Sequence, residues 1–171
     1  EAEEISFIYN QPLWLVNLWM NEMGKDKTID LCAWFNEQPR LTARINTIKI
    51  SIEDCLKELQ DLGWTVEQDT YIPEVVYINA HQGHLEKAKP VIDGHITFMD
   101  KASMLVAHVV NPQPGERILD CCAAPGGKSM HMASLMNNTG AIMSCDIYDH
   151  KLDLMNHNAQ RLGVSIVSTK L

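Results

Sequence analysis

No stretch of this chain approaches the ~20 apolar residues that a bilayer-spanning helix needs. Its acidic start, EAEEIS, has neither the basic nor the apolar region of a secretory signal. A soluble, cytoplasmic protein without a membrane partner is therefore expected. Positive charge is also scarce: 14 Lys plus Arg stand against 22 Asp plus Glu, a net charge of −8. Phosphate binding wants clustered positive charge, so the molecule as a whole is not drawn to nucleic acid. The deficit is uneven, with seven acids and two bases in residues 1–37 and fifteen and twelve in the rest. Any basic surface must be local. The five cysteines (Cys32, Cys55, Cys121, Cys122 and Cys145) contain no C-x-x-C, which argues against a zinc ribbon or a thioredoxin motif. Free thiols in a reducing compartment fit better. His81 and His84 form H-x-x-H without a third ligand nearby, so no metal is expected. Low-complexity tracts and internal repeats are missing too.

What is present is ordinary globular material, 46% hydrophobic and 21% charged. At 171 residues there is room for one domain, or for one small domain and part of another. Residues 1–37 read as a helical linker, with two short helices between positions 9 and 37. Pro12 suits a first turn, Leu13, Val16, Leu18, Trp19 and Met20 make an apolar stripe, and Gly24 is a stop. The tryptophans here are expected in a core. Residues 38–98 read β-α-β-β, a small α+β module. The strand RINTIKIS is followed by a helix capped by Ser51, then by short strands around Pro73 and a turn-rich stretch. Residues 99–171 read helix, strand, helix, strand, helix, strand. That is the opening of a parallel, doubly wound α/β sheet.

The chemistry sits in LDCCAAPGGKSMHMA, where the strand RILDCC hands over to a helix starting near Lys128. In an open parallel sheet this carboxyl edge is where ligands bind. Ala123 and Ala124 keep the turn narrow and Pro125 stiffens it. Gly126 and Gly127 let backbone amides approach a ligand, and the helix N-terminus favours an anionic group. The loop is not a G-x-G-x-x-G fingerprint, which discourages an NAD-type oxidoreductase. Neither is it a P-loop, because the position five before Gly127 is Cys122 rather than glycine. Asp146 ends the next strand about 20 residues on, where an acid can accept from both hydroxyls of a ribose. Loop plus acid describes a nucleoside ligand without a pyrophosphate, and S-adenosylmethionine is the best fit.

DCCAAPGGKS resembles the D-x-C-A-A-P-G-G-K-T signature of RNA cytosine-5 methyltransferases of the Sun/Fmu (RsmB) type. QPLWLVNLWMNEMG is similar to that family's H-P-x-W-L-V-x-R-W helix, and RINTIKIS to its R-V-N-T-L-K-x-S strand. FMDKASMLVAHVVNPQPGERILD resembles its Q-D-x-x-S segment, with Met99 where Gln is usual. DHKLDLMNHNAQRLGV is similar to the helix after the second strand. The resemblance implies a ferredoxin/RRM-like module followed by the first half of a Rossmann-like S-adenosylmethionine-dependent methyltransferase sheet. It implies methyl transfer to C5 of a cytosine in ribosomal RNA, with the small-subunit RNA expected as partner. Cys122, Ala123, Ala124, Pro125, Gly126, Gly127, Lys128, Asp146 and Lys151 are the cofactor-binding candidates. Lys128 meets the methionine carboxylate, orders the loop or is merely solvated, and Lys151 meets ligand or solvent. Arg40, Arg44 and Lys49 form either a basic edge for RNA backbone or a solvated strand face.

In the family a cysteine thiolate attacks C6 and a second cysteine assists release, from P-C-S and T-C-S motifs. Neither PC nor TC occurs here. The resemblance therefore implies the middle of a longer enzyme, with no catalytic residue among these 171. Cys121, Cys122 and Cys145 are expected to be small packing residues at strand ends. The alternative readings are an inactive folded piece serving only as a structural or RNA-binding module, or a methyltransferase of another RNA. A first strand lacking its outer neighbour would expose an apolar edge, so self-association is expected.

Overall fold

The computed structural model describes residues 1–171, which form two compact units, Glu1–Pro39 and Arg40–Leu171. The first unit opens with α1 (Ala2–Tyr9), which the sequence does not announce, and continues with α2 (Leu13–Met23) and α3 (Lys25–Phe35), the two helices expected between positions 9 and 37. They meet at Ile5, Val16 and Cys32, with Trp19, Met20 and Ile29 packed around. The segment LWLVNLWM is apolar nearly all round, so only one side of α2 can face this small core. Trp14 and Trp34 consequently lie outside it, 68% and 63% exposed, contrary to the expectation that they are core residues.

The second unit opens with β1 (Thr42–Ile45), α4 (Ile52–Asp61), β2 (Thr65–Gln68) and β3 (Val75–Ala80). Ser51 caps α4 by accepting from the amide of Asp54 at 3.1 Å, a contribution of about 1 kcal/mol. A 3-10 turn (Leu85–Lys87) and a short α5 (Lys89–Ile92) then lead to β4 (Ile96–Phe98), a strand the turn-rich sequence does not announce. All neighbours are antiparallel, in the order β2-β3-β1-β4. The result is a ferredoxin-like sheet with β1 in its middle. Ala43, Ile45, Leu59, Trp64, Val76, Ile78 and Ile96 fill its core.

The chain continues through α6 (Lys101–Val110), capped by Asp100, which accepts from the Ala102 amide at 3.0 Å. Next come β5 (Arg117–Asp120), α7 (Gly127–Leu135), β6 (Ala141–Cys145), α8 (Asp149–Leu162) and β7 (Val167–Lys170). The three strands are parallel, in the order β5-β6-β7, as the alternating strand and helix pattern predicts. Ile118, Ile142 and Val167 pack with Met130, Met132, Met136, Ala159 and Leu162 on one face. The opposite face carries Leu119, 63% exposed, paired with Met143, 38% exposed. β5 is an edge strand. No helix is long and apolar enough to cross a membrane.

The antiparallel and parallel sheets are stapled together by the RINTIK stretch. The Asn46 side-chain amide donates to the carbonyls of Gly94 and Leu162, both at 2.8 Å. Lys49 Nζ donates to the carbonyls of Asp93 at 2.7 Å and Arg161 at 2.6 Å. Thr47 and Ser134 join their hydroxyls at 2.8 Å. The approach is so close at Gly94, with φ +73°, that a Cβ would run into the carbonyl of Arg161.

Candidate cofactor site

β5 ends at Asp120, and the chain turns back across the carboxyl end of β6 before entering α7. The amide of Ala123 donates to the carbonyl of Cys145 at 3.0 Å, laying the loop over the end of β6. Both oxygens of Asp120 are used to shape the loop. One accepts from the amide of Cys122 at 3.3 Å and the other from the Ser129 hydroxyl at 2.7 Å. Ser144 Oγ then donates to Ser129 Oγ at 2.8 Å, tying α7 to β6. A buried hydroxyl without partners costs about 1–3 kcal/mol, so this chain of bonds fixes the first turn of α7 against the sheet.

Asp146 reaches the same loop from the next strand. Its Oδ2 accepts from the amide of Ala124 at 3.2 Å, and its Oδ1 lies 3.7 Å from Lys151 Nζ. Partial burial pushes its carboxyl up, but the Ala124 amide and the Lys151 ammonium outweigh that and hold it below the usual carboxylate range. Asp146 is thus an anion with lone pairs to spare beside a loop of backbone amides, which suits the two hydroxyls of a ribose. Gly126, with φ +96°, has Met130 and Met155 packed at 3.3 Å from where a Cβ would stand. Only glycine meets both demands without displacement.

A cavity of about 240 Å³ opens beside the loop, lined by Phe98, Met99, Asp100, Ser103, Ala124, Pro125 and Lys128 among others. The last strand of the small module and the first turn of α6 therefore form a wall of the site. The sequence motif gave no sign of this wall. Met99 sits under Gly127, 3.6 Å from where its Cβ would be. Lys128 is exposed at the rim, and Lys151 has Asp146 and the Tyr148 ring (4.7 Å) as neighbours. Ala123 and Gly126 are buried, Ala124 and Gly127 half-buried, and Cys122 and Pro125 exposed.

The cysteines differ from the expectation of small packing residues. Cys121 and Cys122 are exposed and Cys145 half-buried, because β5 stops at Asp120 and the first two fall in the loop beyond it. Burial pushes the Cys55 thiol up to about 12, so it is inert at neutral pH.

The three basic candidates do not form one edge. Arg40 is exposed, bonded to Glu67 at 2.6 Å and stacked 3.7 Å over the Tyr77 ring. Arg44 is 1% exposed, so the structure removes it from any RNA-contacting surface. Lys49 is tied to two main-chain carbonyls. Only Arg44 lies in β1, an inner strand of the sheet whose alternate side chains meet packed layers rather than water, while Arg40 and Lys49 flank it at the surface. His81 and His84 are exposed, with His81 edge-on to Trp64 at 6.0 Å between ring centroids. The sequence pattern does not announce a different cluster: Glu74 in the turn before β3, His108 on α6 and His131 on α7 place their polar atoms within 4.8 Å of one another. No local spacing links them.

Comparison with known proteins matches this arrangement. Residues 11–83 match the family description "Methyltr_RsmF/B-like, ferredoxin-like domain". Residues 107–170 match "16S rRNA methyltransferase RsmB/F". The chain is 35% identical over 159 residues to a probable ribosomal RNA small subunit methyltransferase B of Synechocystis, covering 93% of this chain and 36% of that protein. It is 34% identical over 158 residues to the Bacillus subtilis protein of the same name, covering 92% of this chain and 35% of the other. A methyltransferase homologue from Pyrococcus horikoshii superposes with a TM-score of 0.90 at 25% identity, over 99% of this chain and 55% of that one. The chain thus spans about a third of the length of these curated relatives. S-adenosylmethionine is the cofactor these likenesses imply, and the small-residue loop facing Asp146 fits it. With its two matched regions in the family's order on one chain, this protein belongs to the RsmB/F methyltransferase family.

Proposed function

We propose that the protein containing this chain transfers a methyl group from S-adenosylmethionine to C5 of a cytosine in small-subunit ribosomal RNA. The observation that carries the cofactor part is the clasp between Asp146 and the amide of Ala124. It sets an acid for the ribose beside a loop whose glycines admit the rest of the nucleoside. Bound there, the cofactor supplies an electrophilic methyl on a sulfonium. The chain's own contribution is to hold it: Asp146 for the ribose, Ala123 to Gly127 for the backbone cradle, Lys128 and Lys151 as positive charge at the rim. The relatives named for small-subunit ribosomal RNA support the choice of substrate.

On this reading Cys121, Cys122 and Cys145 are not the nucleophile, and these 171 residues bind cofactor without turning over. Calorimetric titration with S-adenosylhomocysteine tests the first half. The chain should bind it, and Asp146→Asn should weaken binding by about tenfold, the value of one charged hydrogen bond. Equal affinity in the two proteins would remove Asp146 from the site. Labelled-methyl transfer into 16S ribosomal RNA tests the second half: activity is expected from the whole protein and none from this chain. Turnover by the chain alone would overturn the division of labour.

A further inference from the structure

The Glu74, His108 and His131 cluster lies away from the cofactor clasp, in the seam between the antiparallel module and the helices of the parallel sheet. Glu74 immediately precedes β3 and is 7% exposed. Its backbone is anchored, because its carbonyl accepts from the amide of Ile45 at 2.8 Å. One carboxylate oxygen accepts two bonds, from His108 Nε2 on α6 at 2.5 Å and from His131 Nε2 on α7 at 2.7 Å. The rings meet edge to face, 5.3 Å apart. Behind them Arg44 is buried on β1, its guanidinium without a hydrogen-bond partner and attracted to the Glu74 charge.

This cluster has the spacing of a metal site, but its charge is already balanced. The buried Arg44 cation offsets Glu74, and a divalent ion would leave an uncompensated positive charge in a poorly solvated seam. Burial favours the neutral form of His131, and its Nε2 is the nitrogen that donates to the carboxylate. The Nδ1 of His131 is then a buried acceptor without a partner. A ring held on one side by a carboxylate anchored to the small module cannot rotate freely. His131 lies one turn beyond Gly127, on the helix whose first turn closes the cofactor loop.

We propose that Glu74 is a positioning residue for the cofactor loop, acting through His131 to set the height and rotation of α7. The proposal rests on the reading of that loop as a site for S-adenosylmethionine. It makes the small module a working part of that site, and it gives the two histidines different roles. His131 is on the helix that carries Gly127 and Lys128, whereas His108 is on α6 and only completes the carboxylate.

The test uses this chain, with S-adenosylhomocysteine as probe. His131→Phe keeps the ring volume and removes the donor, and should weaken binding by about tenfold. His131→Gln returns an N–H at the place of Nε2 and should recover affinity to within about threefold. His108→Phe strips the same carboxylate of one donor and should leave affinity unchanged. Equal losses at His131 and His108 would reduce the cluster to a structural tie and overturn the proposal, as would unchanged affinity in all three. Amide hydrogen exchange across residues 123–128, without ligand, reads the same idea independently. Exchange should quicken in His131→Phe and not in His108→Phe. If the unmodified chain fails to bind the probe, the cofactor reading falls, while the exchange comparison still decides whether Glu74 and His131 hold the loop.

Discussion

The small module and the parallel sheet it adjoins bury similar kinds of residue but close themselves differently. The module's four strands wrap a core of branched aliphatics and one tryptophan, and its central-lying β1 carries a fully buried arginine. The parallel sheet has three strands and a methionine-rich core on one face only. Its other face shows Leu119 and Met143 to solvent, and β5 is unpaired along one side. In the module, antiparallel pairing joins all four strands between Thr42 and Phe98. A parallel sheet needs a crossover for every strand and cover on both faces, and this three-stranded one is covered on one face only. The module is therefore expected to be the stable partner and the parallel sheet the pliable one.

The largest effect should come from the seam where the two meet. Glu74→Ala would leave the buried Arg44 cation without its counter-charge and two imidazoles without an acceptor. A loss of about 3–5 kcal/mol in urea denaturation is expected. A loss below about 1 kcal/mol would show that the two regions fold independently of this contact.

Acid should dissolve the same seam in two stages. Glu74 is held down at about 2, burial opposing this and the bonds from His131 and His108 prevailing. Its contribution is present above the ordinary carboxylate range and is lost as pH falls from about 4.5 toward 2. Burial holds His131 below its ordinary 6.5, so the unfolded chain takes up a proton there before the folded one does. Stability should thus be level above pH 7, decline from about 6.5 downward, and fall faster below about 4.5. His131→Gln should erase the first decline and spare the second. A profile in which that variant still declines between 6.5 and 4.5 would assign the upper stage to another group.

Amide exchange offers a finer comparison. The amides of Arg44 and Ile45 in β1 should exchange at least about tenfold more slowly than those of Leu119 and Asp120 in β5. Reversed protection would mean that the parallel sheet, not the module, is the stable body. The smallest effect on stability is expected at Leu119→Lys, within about 0.5 kcal/mol, because the residue is already mostly in water. Light scattering should nevertheless show less self-association, since a charge on an open edge strand discourages pairing with another copy. Unchanged association would place the sticky surface elsewhere.

Much of this was legible in the residues themselves. The glycine and alanine loop between a strand and a helix, the acid at the end of the next strand, and the Ser51 cap are local patterns. Each works through neighbours a few positions away, so spacing alone announces it. The strand β4 was not legible, because three residues after a glycine-rich turn become a strand only by pairing with β1. Nor was the fate of the RINTIK basic residues. Alternation said strand, but whether its outward face meets water depends on what the rest of the chain lays against it. Arg44 turned out to be buried, Lys49 lies at the surface but spends its ammonium on two main-chain carbonyls, and Arg40 is exposed and paired with Glu67.

By itself, the sequence determined the ingredients of the candidate site: a loop of small residues with an acid at the end of the next strand, in a chain with little positive charge. Those properties belong to residue types and short spacings. The tertiary structure decided what surrounds that chemistry. It made the last strand of the small module a wall of the cavity beside that loop, and it brought Glu74, His108 and His131 together from positions up to 57 residues apart. Burial and convergence depend on which distant segments pack together, and no local pattern carries that information.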